Sequence, residues 1–279
     1  MKITIPDQKK LEKLKESIKK DGCEKLFVLS DFDRTLTHAL VGGIKTPSII
    51  SRLWDGNYLS RDYAKKAQAL FEKYHPIEMS SSLSTNRKKE AMREWWDKHH
   101  ELMIQSGLSK SDLEDVLKRG SVNFRRGVEV FLDFLDRQKI PLVIISASGC
   151  GDIVPMFFQK MDKNYPNIFF IVNQFNWNDS GRAVSLKGQT LHSLDKNEVD
   201  LDQVPGLKTA LQGRRNALLL GDSPDDLLMA ENFELDHLIK AGFLNPGFNS
   251  EDKFEDFFDI IIEEDGDFEQ INQLVFSLK

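Results

Sequence analysis

Three short apolar runs that each stop at a polar cluster limit the fold of this chain more than any other feature of its sequence. They cover residues 26–29, 141–145 and 217–220, and carboxylates, serines and glycines follow them. Apolar runs that end so abruptly are typical of buried parallel strands, which deliver polar side chains to their carboxyl ends. Weaker strand candidates lie at residues 168–172, 237–240 and 259–262.

Helical patterns fall between these runs and give the chain an alternating order. Such alternation predicts an α/β fold with a doubly wound parallel sheet, a Rossmann-like core. Ligands in these sheets bind beyond the carboxyl ends of the strands, so the polar clusters should meet at one edge. The predicted helices cover residues 7–20, 126–138, 151–163, 206–212, 224–231 and 267–278.

Residues 41–121 differ from the rest of the chain because they hold helical patterns and no convincing strand. We predict that they form a smaller helical cap domain, inserted after the first core strand, which covers the site. Residues 1–40 and 122–279 then make up the catalytic core. The predicted helices of the cap cover residues 60–74, 87–105 and 109–118.

Composition and charge restrict the partners of the chain. Its 279 residues carry a net charge of −6, so it lacks the basic surplus that binding a nucleic acid polymer requires. No apolar stretch of the sequence approaches the ~20 residues that cross a bilayer, and the N-terminus does not resemble a secretory signal. Cys23 and Cys150 cannot build a disulfide framework or a zinc cluster. We therefore expect a monomeric cytoplasmic enzyme that binds no membrane.

The polar clusters hold the kinds of side chain that phosphoryl transfer needs. Asp31 and Asp33 stand at one strand end, where like charges repel unless a cation such as Mg²⁺ is bound. For this pair alone, a turn or capping role is an equally good interpretation. Asp222 adds a carboxylate, Ser146 can donate a hydrogen bond to phosphate, and Lys196 can supply a fixed charge. Together they favour phosphoryl transfer.

These clusters resemble the four signature motifs of the haloacid dehalogenase (HAD) superfamily: DFDRTLT, a strand-terminal serine, a later lysine and GDSPDD. The resemblance covers residues 26–245 and implies a HAD-type fold and a Mg²⁺-dependent phosphatase. It implies that Asp31 attacks phosphorus to form an aspartyl-phosphate, and that Asp33 protonates the leaving alkoxide and then activates water. Mg²⁺ would be held by the Asp31 carboxylate, the Asp33 carbonyl and Asp222. The supporting residues of these motifs are Thr35, Ser223 and Asp226.

The rest of the chain resembles one HAD family more closely, cytosolic 5'-nucleotidase III. This is the pyrimidine 5'-nucleotidase family, which includes members that act on 7-methylguanosine monophosphate. The resemblance implies that Ser146 and Ala147 contact phosphate and that Lys196 is the lysine of the third motif. Lys187 and Ser148 are the competing candidates for these roles. The similar segments, in order, are FVLSDFDRTLT, KYHPIE, EWWDKHHELM, IPLVIISASGCGD, LKGQTLHSLDKN and LLLGDSPDDLLMA.

Substrate recognition is expected in the predicted cap. Glu78 aligns with the cap glutamate that recognises the nucleoside in this family, although a glutamate is more often a solvated surface residue. A carboxylate suits a base because it accepts hydrogen bonds from an exocyclic amine or a protonated ring edge. Trp95 can stack on a base, but one ring of a tryptophan pair usually packs in the core. His99 stands where the family commonly has a small hydroxyl residue, and this change can alter which base fits.

The predicted function is a Mg²⁺-dependent 5'-nucleotidase acting on nucleoside 5'-monophosphates of the pyrimidine or 7-methyl-GMP type. The alternative is a HAD phosphatase or phosphotransferase acting on another small phosphomonoester. A non-catalytic binding protein on a HAD scaffold is the third possibility. Loss of a motif residue would be expected in such a protein, whereas Asp31, Asp33, Ser146, Lys196 and Asp222 are all present.

Overall fold

A seven-stranded sheet forms the centre of the protein. The computed structural model describes residues 2–56, 58–80, 82–119, 122–248 and 254–279. The strands, in chain order, are β1 (Ile3–Thr4), β2 (Leu26–Ser30), β3 (Leu40–Val41), β4 (Ile44–Lys45), β5 (Leu142–Ser146), β6 (Ile168–Val172), β7 (Gln174–Trp177), β8 (Ala183–Lys187), β9 (Asn216–Gly221), β10 (His237–Leu244) and β11 (Ile260–Glu263).

Helices pack against the sheet and also build a long insertion between β2 and β5. The α-helices are α1 (Gln8–Asp21), α2 (Ile49–Asp55), α3 (Tyr63–Glu78), α4 (Thr85–Gln105), α5 (Lys110–Lys118), α6 (Val128–Gln138), α7 (Ile153–Lys160), α8 (Leu207–Leu211), α9 (Phe254–Phe257) and α10 (Glu269–Ser277). Short 3₁₀ segments cover Cys23–Lys25, Ser193–Asp195, Leu201–Gln203 and Pro224–Asn232.

The sheet has the strand order β1-β11-β10-β9-β2-β5-β6. All neighbouring pairs are parallel except β1 with β11, which adds an antiparallel strand at one edge. In the register of the central strands, Ser30 pairs with Ile144 of β5 and with Leu220 of β9. The residues just beyond these three positions therefore meet at one carboxyl edge, and the predicted doubly wound sheet is confirmed.

The central strands are readable in the sequence because both faces of the sheet are covered. Every residue of β2, β5 and β9 is buried. Along β2, Leu26 and Val28 join one hydrophobic cluster, whereas Phe27 and Leu29 join a second cluster on the opposite face. Each such side chain stabilises the fold by roughly 1.5–3 kcal/mol, so polar residues are excluded until the strand ends.

The insertion between β2 and β5 is mainly helical, and its two connections to the sheet run side by side. Thr37 forms an antiparallel bridge with Phe124. The N–H of His38 donates a hydrogen bond of 3.1 Å to the carbonyl of Asn123. We call these paired segments, residues 36–38 and 123–125, the linker ribbon. The ribbon places the return from the inserted helices next to the loop that follows β2.

Two expectations about local structure were wrong. Residues 224–231 form part of a 3₁₀ segment and not an α-helix, although Ser223 and Asp226 form a capping box at its start. The expectation of no strand in residues 41–121 fails at the β3–β4 hairpin, where Gly42 and Gly43 supply the positive φ angles of the turn.

Further elements were not expected at all, namely α2, the β7–β8 hairpin and the two-residue β1. The other predicted helices and strands are present, with ends shifted by a few residues. Within the described ranges, no helix combines the length and the apolar character needed to span a membrane.

Candidate active site

The residues that follow β2, β5 and β9 meet at the carboxyl edge of the sheet. Asp31 directly follows β2, and its N–H donates to the carbonyl of Leu220 in β9 (3.0 Å). Asp222 follows β9, Ser146 is the last residue of β5, and Ala147 begins the loop beyond it. The side chains at the three strand ends, Asp31, Asp222 and Ser146, are buried. The structure therefore brings together the clusters that lie far apart in the sequence.

Lys196 supplies a positive charge at this edge. Its Nζ donates to Oδ1 of Asp31 and to Oδ1 of Asp226, at 2.7 Å in each case. The side-chain amide of Asn232 donates to the Lys196 carbonyl (2.7 Å) and so anchors its backbone. The competing candidate, Lys187, is exposed on β8. The lysine in contact with the predicted nucleophile is thus Lys196.

Asp226 orients this lysine and the loop after β9. Its Oδ1 accepts from Lys196, and its Oδ2 accepts from the N–H groups of Asp222 and Ser223 at 2.9 Å each. Gly221 leaves room for this carboxylate, because a Cβ at that position would lie 2.5 Å from Oδ2. The Ser223 hydroxyl in turn caps the following 3₁₀ segment. Both oxygens of Asp226 are engaged, so its part is structural support.

Burial makes the carboxylates of this cluster difficult to ionise. Burial raises the pKa of Asp31 to about 8; Lys196 opposes this shift, and three neighbouring carboxylates add to it. Burial likewise raises the pKa of Asp222 to about 6, although Arg34 opposes it. For Lys196, burial disfavours the charged form, but two carboxylates outweigh it and raise its pKa. The cluster therefore favours additional positive charge.

A divalent cation fits this requirement. Ligand oxygens of Asp31, Asp222 and Asp226 lie within 4.8 Å of one another. Because Asp226 is already engaged, Asp31 and Asp222 are the carboxylates that can bind an ion, and the carbonyl of Asp33 is the predicted third ligand. Carboxylate and carbonyl oxygens are the ligands that Mg²⁺ prefers. The donor set is therefore suited to Mg²⁺.

Asp33 and Arg34 follow Asp31 in the loop after β2 and adjoin the carboxylate cluster. Burial raises the pKa of Asp33, while nearby cations, Arg34 first among them, oppose the shift. A carboxyl group with a raised pKa suits an acid that must hold a proton before it donates it. Nε of Arg34 lies 3.2 Å from Oδ2 of Asp222, and its guanidinium group lies over the ring of Phe248.

The loop after β5 contacts helix α4. The Ser146 hydroxyl accepts from the N–H of Ser148 (3.3 Å), which makes Ser148 a partner of Ser146 within this loop. Trp96 covers Gly149 so closely that a Cβ at residue 149 would lie 2.2 Å from the indole ring. Nε2 of His100 donates to the carbonyl of Gly149 (3.0 Å). The predicted phosphate loop is therefore in direct contact with the predicted cap.

Glu78 is the last residue of α3 and is close enough to the loop after β9 to sense its charge. Burial raises the pKa of Glu78; His75 and Lys88 oppose the shift, and Asp225 adds to it. Asp225 lies in the GDSPDD motif. The Glu78 carboxylate of the predicted cap is therefore close enough to the Asp225 carboxylate of the core for the two charges to interact. Glu78 is half-buried rather than fully solvated.

His99 and Trp95 are buried within the inserted helices. Nε2 of His99 lies 2.9 Å from the hydroxyl of Tyr63. Trp95 is 7% exposed and stacks on Tyr74 and Trp96, with interplanar angles of 12° and 15°. Both rings lie behind the surface, where they can shape a pocket wall more readily than they can stack on a base.

Sequence reasoning missed the residues that hold the loop after β2. Thr35 is buried, and its carbonyl accepts from Nε of Arg125 (2.9 Å). Arg125 also contacts Asp265 and Asn245. These three residues come from the linker ribbon, the turn after β11 and the end of β10, so no local pattern connects them. Arg34 did carry a signal, since it is a large charged residue directly after the second aspartate of the first motif.

Comparison with known proteins identifies the family. The sequence matches the pyrimidine 5'-nucleotidase (UMPH-1) family over residues 34–279. The chain belongs to this family. It is 32% identical over 268 residues to the 7-methylguanosine phosphate-specific 5'-nucleotidase of Homo sapiens, covering 95% of this chain and 89% of that protein. The Gallus gallus protein of the same name is also 32% identical, over 93% of this chain and 90% of its own length.

Two solved structures share the fold of this chain. The structure of cytosolic 5'-nucleotidase IIIB bound to cytidine has a TM-score of 0.87 at 23% identity, covering 99% of this chain and 93% of that one. A phosphoserine phosphatase, solved as a phospho-aspartyl intermediate analogue, has a TM-score of 0.51 at 18% identity and covers 89% of this chain and 97% of its own. The expected HAD-type fold, family and enzyme class, a 5'-nucleotidase, are confirmed.

Proposed function

We propose that the protein hydrolyses nucleoside 5'-monophosphates to nucleoside and phosphate through an aspartyl-phosphate on Asp31. The observation that carries this proposal is the buried contact of Asp31 with Lys196, next to Asp222, at the carboxyl edge of the sheet. A transferring phosphoryl group requires a positioned nucleophile and fixed charges around its oxygens. This edge has both.

The two half-reactions use the same pair of aspartates. In the first, an oxygen of Asp31 forms a bond to phosphorus, the bond from phosphorus to the 5'-oxygen breaks, and Asp33 gives its proton to the departing alkoxide. In the second, Asp33 takes a proton from water, the water oxygen bonds to phosphorus, and Asp31 is released as a carboxylate. Ser146, Ala147 and Lys196 bind the phosphoryl oxygens in both steps.

Mg²⁺ would be held by the Asp31 carboxylate, the Asp33 carbonyl and Asp222. When bound, it would neutralise charge on the phosphoryl oxygens and lower the pKa of the Asp31 and Asp222 carboxylates. Thr35, Ser223 and Asp226 support this arrangement through the backbone and through Lys196.

Two substitutions with matched controls test the catalytic assignment. Asp31→Asn should lower phosphate release by at least about 10³-fold while the thermal melt stays cooperative. Lys196→Met should also abolish most activity, whereas Lys187→Met, which changes the exposed lysine, should leave it unchanged. Substantial turnover by a folded Asp31→Asn protein would overturn the assignment of the nucleophile.

The proposed substrate side centres on Glu78. Relatives of this chain are named for 7-methylguanosine phosphate, and a similar structure holds cytidine. A half-buried carboxylate with a raised pKa gains most from a base that brings a positive charge or an exocyclic amine. A 7-methylated guanine offers both, and cytosine offers the amine. We therefore propose these two bases over uracil, with His99 and Trp95 shaping the pocket wall.

A phosphate-release assay over CMP, UMP, AMP, GMP, 7-methyl-GMP and sugar phosphates tests the substrate. GMP and 7-methyl-GMP differ only by the N7 methyl group and the positive charge that it brings, so their kcat/KM ratio measures the combined effect of the two. Glu78→Gln keeps the size of the side chain and should raise KM for the preferred nucleotide several-fold, with little effect on a small generic phosphate ester. If sugar phosphates exceed every nucleotide, the substrate assignment fails although the phosphatase chemistry stands.

The inserted helices and the oligomeric state are also part of the proposal. We propose that residues 41–121 act as a cap over the site, since α4 contacts the loop after β5 and Glu78 is influenced by Asp225. A cap would shield the aspartyl-phosphate from uncontrolled water. We further propose that the protein is cytoplasmic and monomeric. Size-exclusion chromatography with light scattering would test the monomeric state.

A further inference from the structure

Arg125 is a fully buried arginine that lies outside the catalytic motifs. Its side chain has a relative exposure of 0%, whereas the side chain of the adjacent Arg126 is 82% exposed. A buried guanidinium group is expensive unless its donors are satisfied. All three nitrogens of the Arg125 side chain donate hydrogen bonds to acceptors in this protein.

The acceptors belong to three separate parts of the core. Nε and Nη2 donate to the carbonyls of Thr35 (2.9 Å) and Arg34 (2.5 Å), in the loop that carries the catalytic aspartates. Nη2 also donates to the side chain of Asn245 at the end of β10 (2.7 Å). Nη1 donates to the Asp265 carboxylate and the Gly266 carbonyl after β11 (2.8 and 2.7 Å). The list of acceptors is Arg34, Thr35, Asn245, Asp265 and Gly266.

The catalytic loop needs such support because its backbone is strained. Arg34 has φ = 59°, a left-handed conformation that costs a residue other than glycine roughly 1–2 kcal/mol. Its carbonyl accepts from both Arg125 and the Asn245 amide (3.0 Å). The Arg34 side chain reaches Asp222, and Arg34 directly follows Asp33 in the chain.

Arg125 also belongs to the linker ribbon. Its backbone N–H donates to the carbonyl of Leu36 (2.9 Å), which follows the catalytic loop on the other side of the ribbon. Asp265, the partner of its side chain, accepts from the N–H groups of Ala39 and Leu40 where the chain leaves for the inserted helices. The same pair of side chains therefore holds the catalytic loop and both connections to the predicted cap.

We infer that Arg125 is a positioning residue for phosphoryl transfer. It holds the carbonyls of Arg34 and Thr35 so that Asp33 faces the leaving group and the Asp33 carbonyl faces the metal position, and it keeps this loop in register with the linker ribbon. The inference rests on the proposed function for its chemistry. It assigns Arg125 no contact with substrate, so its removal should act on kcat and on metal affinity more than on KM.

The test compares neighbouring arginines. Arg125→Met should lower kcat by about 10–100-fold, change KM by less than about 3-fold and weaken Mg²⁺ binding, measured without substrate by calorimetry. Arg125→Lys retains the charge and one donor and should recover part of both losses. Arg126→Met should match wild type in kcat, KM and Mg²⁺ affinity, because Arg126 pairs with Asp267 on the surface.

A purely structural role would give a different pattern. Arg125→Met would then lower the melting temperature, but kcat and Mg²⁺ affinity measured well below that temperature would equal wild type, and the inference would be wrong. If Arg125→Met does not fold, Arg125→Lys takes its place, because it keeps the charge but cannot reach all five acceptors. That variant should lower kcat several-fold and weaken Mg²⁺ binding, and values equal to wild type for both would equally overturn the inference. Active wild type with inactive Asp31→Asn separates these results from failure of the proposed function.

Discussion

The catalytic edge of the sheet and its boundary with the inserted helices are held together in different ways. At the catalytic edge, Lys196 and Asp226 are each less than 5% exposed and make two or more short hydrogen bonds. At the boundary, α4 meets the segment just after Lys196 through partly exposed ion pairs. Lys89 and Arg93 both reach Glu198, at 2.6 and 3.3 Å.

The difference predicts how each region responds to change. Removing one partner of a buried ion pair leaves the other uncompensated and costs several kcal/mol. Exposed pairs contribute about 0–1 kcal/mol, because water and salt screen them. The chemistry should therefore tolerate little substitution, whereas the substrate side can vary in sequence without loss of the fold.

Apart from the nucleophile Asp31, the largest expected effect is at Asp226, which binds no substrate in the proposed mechanism. Asp226→Asn keeps the size of the side chain but replaces one acceptor with an amide that cannot pair with Lys196 and the two backbone N–H groups at once. We expect kcat to fall by about 10²–10³-fold, comparable to the loss of one transition-state donor. Steady-state kinetics on the best substrate of the panel would measure it.

A matched control for this substitution is Asp225→Asn, one residue away and on the exposed side of the same segment. It should leave kcat close to wild type and change KM through its neighbour Glu78. Equal losses of kcat in both variants would mean that the catalytic edge is no more sensitive than its surroundings.

The next largest effect is expected at Gly149, where the loop after β5 at the catalytic edge touches Trp96 of α4. A Cβ there would lie 2.2 Å from the Trp96 ring, so Gly149→Ala must displace either α4 or the loop after Ser146. Overpacking of this kind typically costs about 1–3 kcal/mol. Chemical denaturation would show this loss, and KM should rise because the phosphate loop and the cap shift together. Unchanged stability would show that α4 moves freely over the loop.

Much of the catalytic edge could be predicted from sequence because each strand delivers its functional residue at its own end. The runs at residues 26–29, 142–145 and 217–220 are apolar, since both faces of the sheet are buried. The order of motifs then identified Lys196, which no local pattern would have distinguished from Lys187. The burial of the strands and the order of the motifs therefore made these site residues predictable from the sequence.

The supporting residues could not be predicted for the opposite reason. Arg125, Asp265 and Asn245 come from three places far apart in the chain and contact one another through their side chains. Arg125 and Asn245 also donate to backbone carbonyls of the catalytic loop. Contacts to backbone atoms leave no periodic signal in a sequence.

The two regions should also respond to pH with opposite sign. Burial raises the pKa of Asp31 and Asp222, to about 8 and 6, so the native state retains protons that the unfolded chain has released, and metal-free stability should fall as pH rises from about 4 to 8. Burial lowers the pKa of His99 and His100 to about 4 each. As the pH falls, these histidines therefore take up protons in the unfolded chain before they do so in the native state. The stability that their neutral, buried form contributes is lost between about pH 6.5 and pH 4.

Melting temperatures between pH 4.5 and 8, with EDTA or with saturating Mg²⁺, would test this. Mg²⁺ should flatten the decline on the alkaline side, because a cation favours the ionised carboxylates, and should leave the acid side unchanged. Asp222→Asn in EDTA should flatten the same side, whereas His100→Gln, which keeps a donor for Gly149, should reduce the loss in acid. Identical pH profiles with and without Mg²⁺ would contradict the assignment of the carboxylates to a metal site.

The smallest expected effect is at Glu198, where the ion pairs of the boundary converge. Glu198→Gln removes the charge that faces Lys89 and Arg93 but leaves the hydrogen-bonding capacity of the side chain, so stability should change by less than about 1 kcal/mol. Because Glu198 lies two residues beyond Lys196, a larger effect would mean that these surface pairs hold the catalytic lysine in place. Raising the salt concentration separates the two outcomes: screening should reproduce the variant in wild type if the pairs act only as exposed charges. A large loss of kcat that salt does not reproduce would make α4 part of the support for Lys196, and the contrast between the two regions would disappear.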